Sequence, residues 1–248
     1  MLPSRLIRVI RPESWGGILD GTYAIVLTLL TIELPRQILV ILHRFFNGAE
    51  GRDPTAGFGI NADIGFAIFN LFTGYFAVFV IIYDIWASHR VIVAVDGRLR
   101  LRAILTSWTL FLATLIPSLH YVVNTLRQRY VLGGAHYGSL LGLELHFSRA
   151  LEFPVVALTY FLLYLQASVD LLHLRKVSAD MDDKLALAHV AGTGLTKCIL
   201  IMVIYVFFEL ASSQIVRWDY LWEAPVLLVL IALLTYFNVD IFRFCRQR

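Results

Sequence analysis

The chain has 248 residues, of which 58% are hydrophobic and 16% charged, and its mean hydropathy is +0.72. Soluble globular domains are about 45–50% apolar and about 25% charged, so this chain is set apart from them and fits a polytopic membrane protein with small water-exposed parts. A net charge of +3 is too weak to argue for nucleic acid, and the two cysteines, Cys198 and Cys245, form no metal or redox motif.

A helix needs about 20 mostly apolar residues to cross a hydrocarbon core of about 30 Å. Six segments meet that test, which predicts an all-α fold with one six-helix transmembrane domain over residues 1–248. Arg5, Arg8 and Arg11 come first, followed by an apolar run with no small-residue cleavage site at its end. That run reads as a retained first span, Trp15–Leu42, rather than a signal peptide. The second span is placed at Ile60–Ala87, the third at Ala103–Val123 and the fourth at Arg149–Leu172. The fifth is placed at Leu187–Ser212 and the sixth at Leu221–Phe242. The longest connections, 43–59 and 124–146, are too short for a folded domain, and "GGAHYGSLLGLEL" in the latter reads as an interfacial or re-entrant piece.

Trp15, Trp86, Trp218 and Trp222 fall at span ends, where an interfacial aromatic belt is expected. Thirteen Lys and Arg residues flank one side of the spans and seven the other, which places both termini in the cytoplasm. There is no Walker loop, no G-x-G-x-x-G and no H-E-x-x-H. Nothing activates a nucleophile, so no enzyme, cofactor or metal centre is expected.

The first span reads "DGTYAIVLTLLTIELP" from Asp20 to Pro35. A charge in the hydrocarbon costs roughly 2.5–3.5 kcal/mol even on lenient insertion scales, so Asp20 must face the bundle and be paired. His89 and Arg90 close the second span on the same side, and Trp86 lies one turn earlier with an indole N–H to donate. These four residues predict a network that locks the first helix, or a plain structural salt bridge near the interface. Ile25, Leu29 and Ile32 share one helix face, and the default meaning of such a stripe is packing. Thr28 lies beside the stripe. Glu33 and Pro35 mark the far end of the helix core, where Pro35 removes a backbone donor. Asp84, Asp170, His173, Lys197 and Glu209 read as lying away from mid-depth, each meeting a partner on another helix or at the interface. That placement argues against a proton-coupled carrier, which wants acids near the midplane.

These residues also resemble a known family. The first span is similar to the first helix of the transmembrane protein 175 family, the lysosomal potassium channel and its shorter bacterial relatives. The likeness is carried by Asp20, Gly21, Tyr23, Ala24, Ile25, Thr28, Leu29, Leu30 and Glu33. Trp86, His89, Arg90 and Asp96 match the end of that family's second helix, and Pro117 in "LFLATLIPSL" matches its third. The chain departs from the pattern where the family has Phe-Ser before the acid, since Ile18 and Leu19 stand there, and Ser14 replaces an Arg.

The resemblance implies a passive cation channel favouring potassium over sodium. First helices line its pore, with Ile25, Leu29 and Ile32 as the constriction, Thr28 and Glu33 along the pore or at its mouth, and Asp20, Trp86, His89 and Arg90 as a gating network. It also implies a homotetramer in a bacterial plasma membrane, with the lipid bilayer and monovalent cations as its partners. The alternatives are a non-conducting scaffold or regulatory subunit, which the departures favour, and a proton-coupled secondary transporter.

Overall fold

In hydrocarbon an unpaired backbone N–H or C=O costs several kcal/mol, so a chain this apolar has to bond its backbone within helices. The computed structural model describes residues 12–48, 57–95, 99–132, 140–174, 181–214, 225–234 and 236. Five long helices follow one another: α1 (Pro12–Gly48), α2 (Gly57–Ala94), α3 (Leu99–Leu132), α4 (Leu140–Leu174) and α5 (Met181–Gln214). Each contains an apolar stretch of 26 to 29 residues, long enough to cross a membrane. A shorter apolar helix, α6 (Pro225–Leu234), follows. The fold is therefore an all-α, membrane-spanning bundle.

The ends of the expected sixth span, with Trp218, Trp222, Asp96 and Cys245, lie outside the described residues. The five long helices extend beyond the expected spans at both ends. They absorb 43–48 and 57–59 of one expected connection, and 124–132 and 140–146 of the other. The expected re-entrant piece is thereby reduced: residues 140–145 are the first turns of α4, and 133–139 lie outside the described residues.

Pro35 does not end α1, nor do Pro117 and Pro154 end α3 and α4. One missing backbone bond costs less than unwinding a helix in hydrocarbon. Thr22, Thr28 and Thr31 direct their hydroxyls to the carbonyls of Ile18, Ala24 and Leu27 at 2.7–2.8 Å, so these side chains need no partner outside their own helix.

α2 is the central element. It packs against α1, α3, α4 and α5, and 61% of its apolar window is buried. α1 stands at the periphery, packed chiefly on α2 and α3, with 22% of its window buried. It gives the bundle one stripe, Leu19, Tyr23, Val26, Leu30 and Ile41, spaced at helical intervals. α4 and α5 form the most extensive helix pair. They approach closely at Gly194, where an added Cβ would lie 3.4 Å from the Tyr160 carbonyl oxygen and the Tyr164 nitrogen.

Candidate functional site

The structure arranges the bundle's polar side chains in three layers along α2, α3 and α4. The first lies where α1 begins and α2 ends. Trp86 donates its indole N–H to Asp20 Oδ1 at 2.8 Å, and Arg90 forms an ion pair with Asp20 Oδ2. The Arg90 guanidinium also lies 6.0 Å from the centre of the Trp86 ring. His89 does not reach Asp20. Successive helical residues turn by about 100°, so Trp86 and Arg90 share a face while His89 points into the bundle.

His89 is fully buried there. Its Nδ1 shares a hydrogen bond of 3.3 Å with the Tyr23 hydroxyl, and its Nε2 one of 3.3 Å with Thr106. Gln166 donates to the same Thr106 oxygen at 3.2 Å. One chain of bonds thus ties α1, α2, α3 and α4 behind the Asp20 cluster. Arg102 and Asp170 form a further buried ion pair at 2.9 Å between α3 and α4.

Asp20 and Arg90 keep nearly half their side-chain surface exposed, at 42% and 48%. An exposed pair of this kind contributes about 0.2–1 kcal/mol. Asp20→Asn is therefore expected to leave the thermal melting of the detergent-solubilised protein almost unchanged. A loss as large as that of a buried pair would mean that the cluster is shielded from solvent.

The second layer holds Asp84 and Lys197, which the sequence reading placed away from mid-depth, and Tyr160, which it did not single out. Asp84, Tyr160 and Lys197 each lie within about one helical turn of the middle of their apolar stretches on α2, α4 and α5. Lys197 Nζ meets Asp84 Oδ1 at 2.6 Å, and the Tyr160 hydroxyl donates to Asp84 Oδ2 at 2.6 Å. The lysine and aspartate side chains are 1% and 0% exposed. Asp84 and Lys197 thus each meet a partner on another helix, as expected, and the pair lies near the centre of both apolar stretches and not toward their ends. Lys197 was legible as a residue needing a partner, because it interrupts an apolar run. The identity of that partner depends on how α2 and α5 are rotated and set in depth.

The third layer lies toward the end where α3 gives way to α4. His120 Nδ1 meets Glu152 at 2.9 Å, and Asn124 meets His120 Nε2 at 2.8 Å. Gln37 donates to Thr125 at 3.3 Å nearby. Among the described residues no group of three or more His, Cys, Asp or Glu side chains is arranged to hold a metal ion.

Of the remaining candidates, Ile25, Thr28, Leu29 and Ile32 lie on the outer side of α1, whereas Glu33 falls on the bundle-facing stripe with its Oε2 buried. Ile25, Leu29 and Ile32 are 63%, 55% and 63% exposed, turned away from the bundle, with Thr28 exposed among them. Glu33 lies farther along and forms an ion pair with Arg36 at 3.6 Å, so its charge is balanced one turn on. No family model, no curated protein and no solved structure matches the chain. The likeness to the transmembrane protein 175 family rests on the residues of the first three helices alone.

Proposed function

We propose that this chain is one subunit of a passive cation channel that favours potassium over sodium. In this reading subunits assemble, as tetramers, around the outer face of α1 in a bacterial plasma membrane. The observation that carries the reading is the division of α1 into two faces. One face is held by Leu19, Tyr23, Val26 and Leu30 and by the Asp20 and Tyr23 contacts to α2. The other presents Ile25, Leu29 and Ile32 with no described neighbour covering them.

An aliphatic ring in an oligomer offers a passing ion no oxygen in place of water. Such a constriction excludes the more strongly hydrated sodium more than potassium and closes by dewetting. Thr28 bonds its hydroxyl hydrogen to Ala24 and leaves oxygen lone pairs beside the ring. The mouth near Glu33 carries both signs because Arg36 is paired there, so it attracts cations only modestly. Asp20, Trp86 and Arg90 hold the opposite end of α1 against α2, and a tilt of α1 that changed the constriction would have to strain this anchor.

Ion flux from purified protein in liposomes tests the proposal, with potassium and sodium gradients compared. The expected result is flux that favours potassium, with Ile25→Asn and Leu29→Asn each lowering the preference toward unity. Well-folded oligomer with no flux above empty liposomes would replace the channel by a scaffold or regulatory subunit, and the departures at Ile18 and Leu19 would be the first place to look for the cause.

A further inference from the structure

The α1 face makes no use of the ion pair at the centre of the subunit. Charged side chains are rare inside membranes and mark ion or proton pathways there. A buried ion pair is also weak evidence for stability in itself.

The Asp84–Lys197 pair sums to zero charge and is shut off from solvent. Adding a proton to Asp84 would take from the ammonium the carboxylate it meets, and removing one from Lys197 would take from the carboxylate that cation. Each change leaves a net charge in a low-dielectric interior, which is costly. Exchange of the ammonium proton for a monovalent cation conserves the charge. We propose that Asp84, Tyr160 and Lys197 form such an exchange site, taking one small monovalent cation for each proton released.

In that step an N–H bond of the Lys197 ammonium breaks, and its electron pair stays on nitrogen. The proton leaves to water. The cation takes the ammonium's place against the Asp84 carboxylate, with the Tyr160 oxygen and the freed amine as further ligands. No electrons are transferred and no other group is consumed.

A cavity lies about one helical turn from the triad, and none of the three triad residues lines it. It measures about 40 Å³ and is lined by Ile81, Val156 and Ile201, each one turn from a member of the triad, and by His120, Arg149 and Glu152 toward the α3–α4 end. At about 10–15 Å³ for each water, it has room for about three. Among the described residues, titratable groups near the pair include Tyr160 from α4 and Tyr23 from α1 beyond it, with His89 five residues on along α2. Across the cavity they include His120, Arg149 and Glu152. Glu152 is bonded to His120 in that lining.

Proton release from purified full-length protein in weakly buffered detergent, at mildly alkaline pH, tests the site. Lithium, sodium and potassium chlorides are added in turn, with choline chloride as the control. The expected result is release of up to about one proton per chain with at least one alkali cation and none with choline. Lys197→Arg keeps the charge and the pairing, but a guanidinium does not give up its proton in a protein. Release should fall at least tenfold, whereas a merely structural ion pair gives no release in either protein.

If Lys197→Arg fails to fold, Asp84→Asn with Lys197→Met removes both charges together and is expected to release nothing. A silent wild type with all three cations overturns the site. So does wild-type release from Lys197→Arg or from the double variant. The measurement uses no gradient and no pore, so its failure is distinct from failure of flux along α1.

Discussion

Lys197→Met is expected to destabilise the protein by about 3–5 kcal/mol, the usual cost of removing one member of a buried ion pair. The substitution keeps most of the side-chain volume and deletes the charge that Asp84 faces at 2.6 Å. Tyr160 still donates to the other carboxylate oxygen, but one hydrogen bond does not replace a cation. The carboxylate must then either stay charged in the bundle interior or take up a proton. Asp84→Asn combined with Lys197→Met leaves no charge stranded and should recover most of the loss, because neutral replacements of buried pairs are often close to neutral in stability. Melting of the three variants in one detergent reads this directly. A double variant as unstable as the single one would show that the loss comes from packing around Lys197 and not from the charge.

The helices were legible because their signal is local. An apolar run of sufficient length in this composition has one solution, a spanning helix, and the five long helices contain the first five expected spans. Their ends were less legible. Polar residues near 124–132 read as a connection, yet α3 carries its backbone bonding through them.

The candidate site divides in the same way. Trp86 and Arg90 lie one turn apart on α2, so a partner shared in Asp20 could be reasoned from spacing alone. His89 sits beside them in sequence but on another face, and its contacts with Tyr23 and Thr106 depend on the rotation of three helices. Asp84, Tyr160 and Lys197 are separated by 76 and 113 positions along the chain. A hydropathy window sees three unrelated interruptions there, and only the packing of α2 between α4 and α5 makes them one group.

That packing rests on Gly194, and Gly194→Leu is expected to cost as much as over-packing a core, about 1–3 kcal/mol. The added atoms would start 3.4 Å from the Tyr160 carbonyl oxygen and the Tyr164 nitrogen, both backbone atoms that move only if α4 and α5 separate. The separation would fall at the level of the central triad. Tyr160 carries the hydroxyl bonded to Asp84, and Lys197 lies three residues beyond Gly194 on α5. The loss should therefore fall at the upper end of that range. Gly194→Ala meets the same atoms at ordinary contact distance and relieves the roughly 1 kcal/mol that glycine costs inside a helix, so its melting should stay close to wild type. A double-mutant cycle separates the two contributions. If the close approach of α4 and α5 sets the triad's geometry, Gly194→Leu costs less in the Asp84→Asn, Lys197→Met background, by a coupling of about 0.5–3 kcal/mol. Equal costs in both backgrounds would make Gly194 a packing residue alone and leave the ion pair positioned by α2.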